Sequence, residues 1–336
     1  MWPKVSIIIP IYNREVFVKP ALNSIFKQNY PKNKIEVLLV DAGSTDRTLE
    51  FAKKYPVRII HIDDPLAKKI GEPGKVLGYK KMTGEFYFYL DSDAEFVSKN
   101  FIRDLIYPFI DDKTIAGSFT RYMPSRKQTT FNRYVSNNEL QLWGMLAYLL
   151  PKIKDVIVER REKYDVVEID PEKSPPIGMA FFRKKFLEKV IHNPDKFNYV
   201  DIAIPLQLAE VGYKHFAYVE NAGMIHRRDG LKREIFRAKR DVTVTYLPVF
   251  GERKFNYIDF KKKRDIWRII LWVVYVNLVL PSLIAGIYKS IKWHDLAGLY
   301  ELPTNLLLTD YVIWLFLSHE RGRKIIIGVL KDLLIN

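Results

Sequence analysis

Four short apolar runs near the start of the chain, each closed by a polar turn and separated from the next by helix-patterned sequence, restrict the fold most. Val5-Ser6-Ile7-Ile8-Ile9-Pro10 reads as a buried strand stopped by proline; Ile35 to Val40, Val57 to Ile62 and Glu85 to Leu90 read as three more. Residues 21–28 (after the break at Pro20), 47–55 and 75–82 read as the intervening helices. Strands that are apolar on both faces must be covered on both faces. The rhythm therefore predicts an α/β fold, Rossmann-like, with a mostly parallel sheet and helices on both sides.

Ligands on such sheets lie beyond the carboxyl ends of the strands. Asp41 ends the second strand and opens the turn Asp41-Ala42-Gly43-Ser44-Thr45-Asp46, and Asp91-Ser92-Asp93 follows the fourth. If the backbone stays extended, Asp91 and Asp93 point to one spot. Two carboxylates together beside apolar structure call for a cation, and a hard divalent ion that also holds phosphate oxygens suits them. Neither GxGxxG nor GxxxxGK[ST] is present, so the motifs for dinucleotide and P-loop binding are lacking.

The 336 residues contain no Cys, which excludes disulfides, thiol catalysis and Cys-ligated metals. The formal net charge of +15 suits an anionic membrane surface, nucleic acid or a phosphorylated ligand. Its distribution is more telling, because seven Lys/Arg fall between Arg227 and Arg240 and Lys261-Lys262-Lys263-Arg264 abuts an apolar stretch. Ile269 to Tyr288 holds twenty consecutive uncharged residues, interrupted only by Asn277 and Pro281, enough to cross a bilayer as a helix. Leu296 to Ser318 reads as a return crossing, and Ile325 to Ile335 as a short amphipathic helix. Basic flanks at 261–264 and 319–324 place both ends of this hairpin in the cytoplasm. The amino terminus has no signal-peptide layout, which also puts the catalytic part there.

The expected division is a cytoplasmic catalytic domain over 1–260, with a first part over about 1–122 and a second over about 123–245, to which the family resemblance given next assigns the nucleotide sugar and the acceptor in turn. A membrane region follows over 261–336, with helices 266–288 and 296–318. Between these, Asn138 to Leu150 reads as a core helix, with a membrane-interface helix as the alternative. The charge-dense stretch Lys152 to Lys173 reads as an exposed excursion. Asp201 stands at the start of a helix over 202–211 closed by Gly212, a position that suits either a cap or an ionised general base.

Taken in order, Ser6-Ile7-Ile8-Ile9-Pro10-Ile11-Tyr12-Asn13, Asp41 to Asp46, Gly84-Glu85 and Asp91-Ser92-Asp93 resemble the family 2 glycosyltransferases, inverting enzymes of the GT-A fold, over roughly residues 4–230. The resemblance implies that Pro10, Tyr12, Asn13 and Asp41 hold the nucleotide base and that Asp91, with Ser92 beside it, lies by the ribose. It implies that Asp93 ligates Mg²⁺ or Mn²⁺. Asp201 matches the catalytic base, although Val200 stands where the family carries a second acid. His226 with Arg227 and Arg228 resembles the stretch that reaches back to metal and diphosphate. Lys75 lies in the donor-side segment, where Gly78 replaces the usual Asn.

The chemistry so implied is transfer of a sugar, mannose or glucose, from a GDP- or UDP-linked donor. The acceptor is a hydroxyl of a lipid-linked glycan or glycolipid, deprotonated by Asp201 as it attacks. A polyprenol-phosphate sugar synthase is the alternative with the same fold. A nucleotidyltransferase, a non-catalytic nucleotide-sugar-binding membrane protein and a nucleic-acid binder are alternatives of other classes. Nucleic acid is disfavoured because the basic residues gather by the expected diphosphate and membrane, not among aromatic platforms.

Overall fold

The computed structural model describes residues 2–138, 140, 144–170, 174–175, 177–194, 203–227, 230–249 and 262–335. The chain forms two compact units, Met1–Met123 with Pro151–His226, and Pro124–Leu150 with Arg227–Asn336. This grouping differs from the expected partition, because residues 124–150 and the segment from Arg227 join the C-terminal helices.

The first unit is built on β1 (Val5–Ile11), β2 (Ile35–Asp41), β3 (Arg58–His61), β4 (Phe86–Tyr89), β5 (Ala94–Phe96), β6 (Gly117–Phe119), β7 (Ile157–Arg160), β8 (Asp165–Glu168), β9 (Ala180–Arg183), β10 (His215–Tyr218) and β11 (Met224–His226). Nine of these form one sheet in the order β3-β2-β1-β4-β9-β6-β10-β8-β7, and β11 pairs with β5 in a separate ribbon. From β3 to β4 all pairings are parallel, as the first four apolar runs predict. Beyond β4 the sheet is mixed, because β9 lies antiparallel to both β4 and β6.

Burial explains the parallel half. Val5, Ile7, Ile8 and Ile9 of β1 and Leu38 and Leu39 of β2 are fully buried, so removing this surface from water drives the pairing. Lys152 to Lys173 departs from the expected excursion, since β7 and β8 form a hairpin within it at the sheet edge. β7 is mostly exposed, and its Glu159 and Arg160 suit an edge that must not recruit further strands. The first helix also departs from expectation. It runs Glu15–Phe26 with Pro20 inside it, rather than starting after the proline.

The helix Glu72–Lys81 packs directly on β1. A Cβ at Gly74 would come within 2.9 Å of Pro10 Cβ, and one at Gly78 within 2.4 Å of Ile8 Cγ2. Close packing therefore accounts for glycine at position 78.

The second unit is helical, with Thr130–Asn137, Gly144–Leu149, Leu231–Arg240, Lys263–Asn277, Leu280–Trp293, Glu301–Ser318 and Glu320–Ile335 as its α-helices. The stretch expected to be one straight crossing over 266–288 is two helices meeting at 80°. Two features break it. Pro281 has no N–H for the Asn277 carbonyl, and Val279 (φ +61°) centres a tight turn in which Leu280 N donates to Leu278 O at 2.6 Å. Among the described residues no single helix is long and apolar enough to cross a membrane; this bent pair reaches that length and composition only when its two helices are taken together.

Candidate active site

The carboxyl ends of β1, β2 and β4 carry the predicted residues, and hydrogen bonds lace the first two together. After β1, Asn13 takes a left-handed conformation (φ +52°), which asparagine tolerates. Its backbone N–H donates to Ser44 Oγ at 3.0 Å, and its Oδ1 accepts from Thr45 N at 2.9 Å. The Pro10–Asn13 turn and the Asp41–Asp46 turn are therefore one structure. Tyr12 is partly buried, with the Lys68 ammonium 5.8 Å from its ring centroid.

Asp41 is only 1% exposed, and its carboxylate accepts from Gly43 N at 3.1 Å, Ser44 N at 3.0 Å and Ser44 Oγ at 2.6 Å. His61 Nδ1 adds a fourth contact at 3.3 Å from the end of β3. These contacts hold the turn in shape around the carboxylate. His61 escaped the sequence reading, although its place at the end of the third strand, in register with Asp41, marked it. Asp46 fixes the far end of the same turn by accepting from Thr48 N at 3.0 Å and Glu15 N at 3.2 Å. Desolvation works to raise its pKa, but these hydrogen bonds outweigh it and hold the carboxyl below its ordinary range.

After β4 the backbone does not stay extended, since residues 92 and 93 lie in a turn. The two acids converge all the same. The turn closes through Ala94 N donating to Asp91 O at 2.9 Å, and β5 then pairs with β11 so that His226 stands opposite Ala94. This ribbon places His226 Nε2 3.2 Å from Asp93 Oδ1 and 3.6 Å from Asp91 Oδ2. One ligand atom from each of Asp91, Asp93 and His226 lies within 4.8 Å of the others. The two hard carboxylate oxygens suit Mg²⁺ or Mn²⁺, and the imidazole nitrogen is the softer donor of the three.

The side chain of Asp93 is 12% exposed and that of Asp91 40%. Asp91, expected by the ribose, is thus the most exposed of the three residues that could hold an ion. Ser92 is buried between them. Tyr122 flanks the imidazole, its ring centroid 5.7 Å from that of His226, and no sequence signal pointed to it.

Lys75 is 4% exposed, with its ammonium 4.0 Å above the Tyr89 ring centroid and 3.8 Å from Glu72 Oε1. That ammonium is packed beneath the strand ends. Arg227 directly follows His226 and is partly buried. Asp201 and Arg228 lie outside the described residues; the helix Ala203–Glu210 after Asp201 is present and closes at Gly212 (φ +92°), as predicted.

The sequence profile of glycosyl transferase family 2 matches residues 6–191, more than half of the chain. The chain belongs to glycosyl transferase family 2. Over 111 residues it is 38% identical to the poly(ribitol-phosphate) beta-N-acetylglucosaminyltransferase TarS of Staphylococcus aureus, a match covering 32% of this chain and 19% of TarS. Over 96 residues it is 36% identical to the glycosyltransferase AglE of Haloferax volcanii, covering 27% of this chain and 31% of AglE. These matches span less than a third of either relative. Among solved structures, the mannosyltransferase PcManGT from Pyrobaculum calidifontis, in complex with GDP-Man and Mn²⁺, aligns with a TM-score of 0.56 at 17% identity. The alignment covers 95% of this chain and 87% of that one, so the two share a GT-A-like fold.

Proposed function

We propose that this glycosyltransferase works by inversion at a membrane. In this reading it moves mannose or glucose from a GDP- or UDP-linked donor to a hydroxyl of a lipid-linked glycan or glycolipid on the cytoplasmic face. The observation that carries the chemical part is the convergence of Asp91, Asp93 and His226 at the end of β4, a set of ligands sized for one divalent ion. The Mn²⁺ and GDP-Man bound to PcManGT, which shares the fold, favour the same pairing here.

The chain's own residues would divide the work. Asp93 and His226, with Asp91 more exposed beside them, would hold the cation against the donor diphosphate, where it offsets charge developing on the leaving group. Asp41 and Asn13 would act by holding the paired turns that receive the nucleotide. Arg227, next in the chain to His226, would add positive charge for the diphosphate. Asp201 would take the acceptor proton as the hydroxyl attacks the anomeric carbon from the face opposite the leaving group. A single in-line displacement inverts that carbon and needs no covalent enzyme intermediate.

The membrane part is supported by basic segments beside apolar ones and by the bent helix pair that passes for a membrane segment. The test is a panel of GDP- and UDP-sugars assayed for transfer to native membrane lipids, with and without Mn²⁺. Metal-dependent transfer from one donor class is expected. Transfer unaffected by chelation would remove the role given to Asp93 and His226. Asp201→Asn should bind donor normally and lose transfer by at least about a hundredfold; unchanged turnover would remove Asp201 as the base.

A further inference from the structure

We infer that the helical unit enters only the near leaflet of an anionic phospholipid membrane, with the tip Leu278–Leu280 deepest, and does not cross it. This rests on the membrane part of the proposed function and is independent of its chemistry. Three features of the unit lead there.

The first is the exposure of apolar side chains along both arms. On the helix Lys263–Asn277 and its end, Trp267, Leu271, Val274 and Leu278 are all more than half exposed and recur at helical spacing. On Leu280–Trp293 the exposed stripe is Leu280, Leu283, Ile284, Ile287 and Ile291, while Ser282 and Gly286 are buried. Beneath these stripes, polar groups are buried beside apolar clusters such as Phe131, Tyr134, Val135 and Ala297. The Lys289 ammonium lies 2.5 Å from Glu301 Oε2 and donates to Asn138 Oδ1 at 2.9 Å; Tyr134 Oη donates to the same Glu301 oxygen at 2.8 Å. Small residues allow close helix contact, since a Cβ on Gly286 would come within 3.0 Å of the Gly298 carbonyl oxygen. A broad apolar surface outward, over an interior that also holds charged and small residues, is an arrangement that lipid favours more than water does.

The second feature is geometry. The two arms contain 15 and 14 residues, so each is about 22 Å long at 1.5 Å per residue, short of a hydrocarbon core of roughly 30 Å. They meet at 80°, which turns the second arm aside instead of continuing the first. Three consecutive exposed apolar residues, Leu278, Val279 and Leu280, cap the bend.

The third is connectivity. In a crossing hairpin the turn after Trp293 would lie on the far side of the bilayer. Instead Asp295 is held by Arg133 through Nε at 2.6 Å and Nη2 at 3.1 Å. Arg133 is in the helix Thr130–Asn137, which the chain enters only a few residues after Met123, the end of the sheet unit's first segment. The turn is therefore on the same side as the helix that leads into the unit. Basic residues accompany the exposed stripes at their ends, with Lys262, Lys263 and Arg264 at the start of the first arm, Lys292 at the end of the second, and Arg323 and Lys324 further on. Basic charge beside an apolar wedge selects anionic headgroups.

The chain has no cysteine, so single-cysteine variants of the full protein report without interference. His294→Cys and Val279→Cys would be bound to sealed vesicles of phosphatidylcholine, with and without phosphatidylglycerol. Flotation should require phosphatidylglycerol, a fluorophore on Val279→Cys should be quenched by lipids labelled within the acyl chain, and His294→Cys should react with an impermeant maleimide added outside. Joint Leu278→Asp and Leu280→Asp substitution should lower vesicle partitioning at least tenfold while nucleoside diphosphate binding persists, which also reports folding. Reaction of His294→Cys only after permeabilisation would mean a crossing; the membrane reading would then stand and the single-leaflet inference fall. Absence of flotation, with sugar transfer retained, would overturn both while leaving the glycosyltransferase assignment intact.

Discussion

Asp93 and His226 are nearly buried and 3.2 Å apart, whereas Asp91, on the same small turn, is 40% exposed. The deeper pair has fewer ways to be replaced by water, so it should dominate cation affinity. Asp93→Asn and His226→Ala should each weaken Mn²⁺ binding at least about tenfold, with a smaller loss for Asp91→Asn, read by electron paramagnetic resonance titration without substrate. An equal loss in all three would mean that burial does not rank the ligands. The acids could be read from the sequence because apolar strands end at them and the sheet topology brings strand ends together. His226 was reachable only through family resemblance, since it arrives by the pairing of β11 with β5, a long-range contact that no local pattern encodes. Likewise, nothing in the apolar pattern announces that the Asp41 carboxylate is in contact with Gly43, Ser44 and His61.

At the scale of elements, two positions invite opposite substitutions. Gly78→Ala puts a methyl group 2.4 Å from Ile8 Cγ2, and the overpacking should cost about 1–3 kcal/mol in urea unfolding despite alanine's better helix propensity. Val279→Gly should act the other way and raise thermal stability in detergent by roughly 1 kcal/mol, because a β-branched residue at φ +61° is replaced by one that adopts it freely. A loss of stability there would mean that the Val279 side chain contributes more than its backbone costs. The parallel strands were legible because burial on both faces leaves uninterrupted apolar runs. β7 and β8 were not, because strands at an exposed edge carry the charges of a loop. Pro281 and Asn277 marked the break in the apolar stretch, but the size of the bend depends on the local turn at Val279, which composition does not specify.

For the whole molecule, acid stability depends on carboxyls held below their ordinary range. Burial raises Glu36 and Asp112, but hydrogen bonds from Ser6 and Thr83 to Glu36, and from Thr114 and Arg161 to Asp112, outweigh it. Asp46 behaves in the same way. A depressed carboxyl contributes stability above its unfolded pKa of about 4 and loses it as pH falls through the lower folded value. The urea midpoint should therefore change little on this account from pH 7 to about 5 and fall below about pH 4; an unchanged midpoint at pH 3 would remove these carboxyls from the balance. The separate grouping of residues 124–150 with the C-terminal helices was invisible in the sequence, because it depends on contacts such as Arg133 with Asp295 across most of the second unit's length. The β5–β11 ribbon carries a further consequence, for the order in which the protein is made. Asp91 and Asp93 leave the ribosome early and His226 much later, so a nascent chain has its parallel strands β1–β4 well before it has its complete candidate cation site. His226 emerges ahead of the helices that carry the exposed apolar stripes, so the candidate site is completed before the chain gains the surface proposed to meet lipid.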